Sequence, residues 1–244
     1  MVKVLMVKMD KNIQNWVKFY YFRRGIAYCL VGMILGGYTG TLYWSVIDLT
    51  GLTSDISFVI AGAFVGGGIG GINGFLMGYY DLYSHGWRGI VAFISDSTWD
   101  LLITAIGLFL LLYLYIRGDG YFSMKYSKQT NSLIFIGVGD VIKSSGLALG
   151  NVIAVKYNEG DIFRGGFLRL LRHELAHPWQ YRIGSLFAAI KLGQEMIMGP
   201  FALKFYNPYK TSWNLENQAE KYSERGKENR PWFLRSKEFD KLYL

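Results

Sequence analysis

Two long stretches of the chain carry no charged side chain: the 22 residues from Ile26 to Ile47 and the 25 from Ile56 to Tyr80. A helix needs roughly 20 apolar residues to cross the hydrocarbon core of a bilayer, so each stretch predicts a membrane span. A third run, Leu101 to Ile116, holds 16 uncharged residues and follows Asp96 and Asp100. It spans more easily if its helix begins near Ile90 and the two aspartates face protein or water. Beyond residue 120 the pattern shortens. "SLIFIGVGD" and "GLALGNVIAVKY" are β-branched and partly alternating, with "VIKSSG" between them, and predict two strands joined by a turn. A helix is predicted from about Phe163. Pro178 should kink or end it, because proline lacks an N–H and crowds the carbonyl of Glu174. "SLFAAIKLGQEMIMGPFALKFY" is apolar but broken by Lys191, Glu195, Gly199 and Pro200, and reads as a buried or membrane-dipping helix pair. "NLENQAEKYSERGKE" predicts a polar helix.

These patterns divide the chain. Residues 1–25 form a basic-aromatic interfacial lead, since "NWVKFYYFRRG" mixes aromatics with cations as membrane-interface anchors do. Residues 26–120 form a transmembrane helical region of two to three spans, 130–225 a compact mixed domain, and 226–244 a C-terminal extension. The second apolar run is unusual in its glycines. Gly62, Gly66, Gly70, Gly74 and Gly78 recur every four residues on one helical face. Small residues at that spacing let helix backbones approach closely, which predicts either a tight helix hairpin or an oligomer seam. No lysine-serine or strand–turn context supports reading these glycines as a phosphate loop.

Charge adds orientation. The net charge is +8, and six cations precede Ile26 (Lys3, Lys8, Lys11, Lys18, Arg23, Arg24) against Asp10 alone. That asymmetry predicts an integral membrane protein with its N-terminus on the cytoplasmic or matrix side, in contact with the lipid bilayer. It also argues against nucleic acid as a partner, because the basic stretch abuts a span and contains no recognised binding module. The single cysteine, Cys29, rules out a disulfide within the chain. His85, in the loop "DLYSHGWRG", reads as a solvated loop residue.

The other two histidines carry the candidate chemistry. "LLRHELAHPWQYRIGS" places His173 and His177 four residues apart with Glu174 after the first. At that spacing two imidazoles share one helical face and can converge on one ion, while the glutamate beside them takes a proton from water. Zinc needs a third protein ligand and an open fourth position. No cysteine and no further histidine lies nearby, which favours a carboxylate. Trp179 reads as packing for the motif helix, and Arg172 as a solvated or headgroup contact.

Downstream, Glu216, Ala219 and Glu220 spell E-x-x-A-E. H-E-x-x-H followed by E-x-x-A-[DE] on a later helix resembles the gluzincin metallopeptidases. It is similar in particular to the HtpX-like and CAAX-prenyl endopeptidase-like membrane forms and to compact minigluzincins. The resemblance spans about residues 130–225. It implies zinc as cofactor, His173, His177 and Glu216 as ligands, Glu174 as general base, and Glu220 as the acid that supports a ligating histidine. It also implies an edge strand that pairs with an extended polypeptide substrate. Tyr181, Arg182, Tyr206 and Tyr222 are candidates for stabilising the transition state, and the sequence selects none of them.

The expected fold is thus a membrane α-helical N-terminal region with a Gly-rich helix hairpin, plus a small α+β, gluzincin-like C-terminal domain. Two functions remain open: a membrane-anchored zinc metallopeptidase (a hydrolase), or a non-catalytic subunit of that fold that assembles with partner membrane subunits. A site-2-type intramembrane protease is disfavoured, because its H-E-x-x-H should lie in an early span. A crossing at 185–206 would put the proposed ligands on opposite sides of the membrane, so the zinc reading requires that segment not to cross.

Overall fold

The computed structural model describes residues 11–49, 56–83, 86–158, 160, 166–184 and 215–224. Helix α1 runs Lys11–Leu49 and α2 runs Ile56–Tyr79. At 1.5 Å per residue they are about 58 and about 36 Å long, both longer than a hydrocarbon core of about 30 Å. Both are apolar enough to cross a membrane, and their outward faces present Leu30, Ile34, Val46, Phe64, Val65 and Ile72. The chain therefore has the make-up of a membrane protein. The interfacial lead is not a separate element. From Lys11 onward it is the first part of α1, with Trp16, Phe19, Tyr20 and Phe22 exposed and the Arg23 and Arg24 guanidinium groups over the Phe19 and Tyr20 rings.

Glycine sets how α1 and α2 meet. Gly32, Gly36 and Gly40 of α1 lie against Gly70, Gly66 and Gly62 of α2, in antiparallel register. A Cβ on any of these glycines would fall on the opposing backbone carbonyl or, at Gly62, also on the Trp44 ring. Gly74 meets the backbone of Tyr28 in the same way. The four-residue spacing of α2 is thus answered by a matching spacing on α1, and the close approach is made within one chain.

The third apolar run is not a straight helix. Helices α3 (Gly86–Ser97) and α4 (Leu101–Arg117) meet at 91° across an elbow at residues 98–100. A helix starting near Ile90 is therefore broken at the elbow, and the two halves together are long and apolar enough to form one bent span. Three hydrogen bonds close the elbow as turns, Thr98 N–H and Asp100 N–H donating to the Ser95 carbonyl and Leu101 N–H to the Thr98 carbonyl. Asp96 and Asp100 are both buried in protein.

A small mixed domain follows: β1 (Tyr121–Phe122), α5 (Met124–Thr130), β2 (Leu133–Ile136), a 3-10 turn (Gly139–Val141), β3 (Gly146–Leu149) and β4 (Val152–Val155). The sheet order is β1-β2-β4-β3, with β2 and β4 parallel and both outer strands antiparallel to their neighbours. The two predicted strands are in fact three, joined by β1. "GLALGNVIAV" splits at Gly150-Asn151 into a hairpin, because Gly150 adopts φ +56°, which turns the chain in two residues. Strands β2 and β4 are buried along their whole length, as central strands covered on both faces must be.

Helix α6 (166–184) lies on this sheet. Phe167, Leu171, Leu175 and Trp179 recur every four residues and join the core formed by Ile134, Ile136, Ile153 and Val155. Pro178 does not end the helix: α6 runs on for six residues past it. The hydrogen bond lost at Pro178 is offset by anchors in the next turn. Gln180 donates to the Leu215 carbonyl, Tyr181 Oη to the Ala148 carbonyl, and Arg182 to Asp96. Helix α7 (Leu215–Glu224) agrees with the predicted polar helix. The segment 185–206, Tyr206, His85 and the extension 226–244 lie outside the described residues.

Candidate metal centre

The apolar row of α6 determines where the histidines point. Residues 169, 173 and 177 follow 167, 171 and 175 by two positions, about 200° around a 3.6-residue helix. With the apolar row on the sheet, His173 and His177 stand on the other side, where α7 lies. Their ring centroids are 5.2 Å apart and nearly perpendicular. His173 is half-buried and His177 buried.

Each imidazole is held on its Nδ1 side. His173 Nδ1 is 3.2 Å from Glu220 Oε2 on α7. His177 Nδ1 is 2.9 Å from Gln180 Oε1, and Gln180 Nε2 donates to the Leu215 carbonyl at 2.9 Å. These partners set the tautomers. A carboxylate only accepts, and the carbonyl of Leu215 fixes which end of the Gln180 amide is the donor, so both Nδ1 atoms carry the proton. A metal would then be met through Nε2, one turn apart on one face. Gln180 went unnoticed in the sequence. Its signal was available in outline, since residue i+3 from a histidine faces the same side of a helix.

Glu220 is itself oriented. Arg169, one turn before His173, reaches both Glu220 and Glu224. Burial pushes the Glu220 carboxyl up, but the Arg169 hydrogen bond and charge, with His173, outweigh it and hold the group below the usual carboxylate range. Glu220 therefore presents an anion to His173 at neutral pH.

Glu174 is buried and packs against Gly146 of edge strand β3, where an added Cβ would meet its side chain. In the β3–β4 ladder Lys156 N–H donates to the Ser145 carbonyl. By antiparallel alternation the backbone groups of Gly146 and Ala148 then face away from β4. Ala148 accepts from Tyr181 Oη there, at 3.3 Å, and the Tyr181 ring stacks on His177 at 6.4 Å. Arg182, another residue considered for transition-state stabilisation, is instead bound to Asp96 on α3. Trp179 is buried with the core, as read from the sequence.

Among the described residues no group of three or more His, Cys, Asp or Glu side chains is arranged to hold a metal. The side chain of Glu216 lies outside the described residues. Its backbone is the second residue of α7, next to the Leu215 carbonyl that Gln180 holds, and one turn before Glu220. The donor chemistry present fits zinc: two imidazoles held on their Nδ1 sides and an adjacent buried carboxylate. No family model, curated protein or solved structure matches this chain.

Proposed function

We propose that this chain is a membrane-anchored zinc metallopeptidase of gluzincin type, with His173, His177 and Glu216 as ligands and Glu174 as general base. The observation that carries the reading is the grip of α7 on the motif helix. Glu220 takes His173 and, through Gln180, Leu215 takes His177, which supports reading E-x-x-A-E and H-E-x-x-H as parts of one site. Zinc would supply Lewis acidity, polarising a carbonyl and acidifying water. The remaining work falls to the chain. Glu174 accepts the proton of the attacking water and returns it to the leaving amine, and its burial keeps that exchange from bulk solvent. An extended peptide would pair on the outward edge of β3, beside Glu174, where the Gly146 and Ala148 carbonyls already accept from Ser144 Oγ and Tyr181 Oη. Helices α1 and α2 hold the site at the bilayer, with the N-terminus on the cytoplasmic or matrix side.

The test is metal content and endopeptidase turnover of the detergent-purified chain. Wild type should bind about one zinc per chain, and His173→Ala should lose it. Glu174→Gln should keep the metal and lose about 10²–10⁴-fold of the turnover. Wild type that takes up no zinc would end the metal reading. Zinc without turnover, unchanged in Glu174→Gln, would favour the scaffold subunit.

A further inference from the structure

The elbow between α3 and α4 contains a carboxylate that nothing in the metal site uses. Asp100 is 2% exposed, and neither of its oxygens has a hydrogen-bond partner. It occupies the N-cap position of α4 yet makes no capping bond, the use to which an aspartate is ordinarily put there. The hydroxyls of Ser97 and Thr104, each within one turn of it in sequence, are likewise buried and unbonded.

The charged groups that act on Asp100 are Asp96, on α3, and Arg182, on α6. These two already satisfy each other. Arg182 Nε and Nη2 donate to the two oxygens of Asp96, both at 2.8 Å, and Nη2 also donates to the Asn131 carbonyl. Asp96 further accepts from Tyr83 Oη at 2.9 Å, and Tyr83 takes a bond from Asn73 on α2. From α1, Tyr43 faces the same elbow, its hydroxyl donating to the Trp99 carbonyl at 2.8 Å. Asn151 Nδ2 donates to Asn73 Oδ1 and to Asp96, and among the described side chains of this cluster Asn151 Oδ1 and Arg182 Nη1 are buried without a partner, as Asp100 is.

A second buried carboxylate beside an Asp–Arg pair that already meets through two hydrogen bonds is an uncompensated charge, and burying one is strongly unfavourable. A proton removes that charge without any further group. When the proton leaves, the unused Nη1–H of Arg182 is the donor available to the anion. We propose that Asp100 is a proton-binding site, un-ionised while Arg182 serves Asp96 and the Asn131 carbonyl and paired to Arg182 Nη1 once its proton passes to solvent. Arg182 lies five residues beyond His177 on α6, and Trp99 Nε1 of the elbow donates to the Arg182 carbonyl at 2.9 Å. Proton binding at the elbow thus bears on the helix that carries the histidines. Asp100 and Arg182 behave this way with or without a metal at the histidines.

The experiment is infrared spectroscopy of the full chain in detergent, recorded through a pH titration in H2O and D2O. Wild type should show at neutral pH the carbonyl stretch of an un-ionised carboxylic acid, shifting in D2O and fading as pH rises. Asp100→Asn, which mimics the neutral acid in shape, should lack the band, and Asp96→Asn, which frees Arg182 for Asp100, should weaken the band at neutral pH. Replacing potassium with sodium at constant pH should leave the band unchanged. No such band in wild type at neutral pH would overturn the proposal, and this needs no variant. A band that survives in Asp100→Asn, or that sodium abolishes, would overturn it equally, the latter in favour of a cation site.

Discussion

Glu220→Ala should separate metal affinity from stability. In the folded chain Glu220 is 37% exposed at its side chain and paired to Arg169 and to His173. Ion pairs this open to water contribute about 0–1 kcal/mol, because solvent screens them and ordering the side chains costs entropy. The melting midpoint should therefore fall by only a few degrees. Zinc binding should respond more. Glu220 fixes the His173 tautomer and ring orientation through Nδ1, and removing such a partner typically weakens metal affinity 10–100-fold, about 1.4–2.7 kcal/mol. The assay is competition with a chromophoric chelator in detergent, with a thermal melt run in parallel. Glu220→Gln keeps an acceptor and should fall between wild type and the alanine variant. Affinity within twofold of wild type in Glu220→Ala would refute the reasoning, as would an affinity loss matched by loss of the fold.

The glycine seam predicts that Gly66→Leu displaces α1 from α2, since its Cβ would sit on the Gly36 carbonyl, and Gly68→Leu, with nothing within 4 Å, should be tolerated; detergent melts of the pair check this. Arg182→Leu leaves Asp96 as a buried anion without its partner and should destabilise by about 3–5 kcal/mol, read as a lower denaturation midpoint. The Glu220 carboxyl ionises at lower pH when folded than when unfolded. Its contribution should be complete above the unfolded carboxylate range and vanish as pH falls through the lower, folded value. An acid titration of stability should therefore be shallower in Glu220→Gln than in wild type.

The sequence alone was enough for features whose cause is local. Uncharged runs longer than a bilayer core form helices, because a helix satisfies its backbone hydrogen bonds within the segment itself, and α1 and α2 follow from composition. The i, i+4 histidines share a helical face by geometry. The polar helix at 215–224 and the burial of Trp179 were also legible. What depended on distant partners was not. The glycine row of α2 left a hairpin and an oligomer seam equally open, until Gly32, Gly36 and Gly40 met it from α1. Pro178 ends a helix by local rules, yet α6 continues because Gln180, Tyr181 and Arg182 find anchors on α7, β3 and α3. Asp96 and Asp100 precede an apolar run, and only the folded chain brings Arg182 to Asp96 from 86 residues away. A buried charge is tolerated through its partner, and local pattern carries no record of a partner so remote.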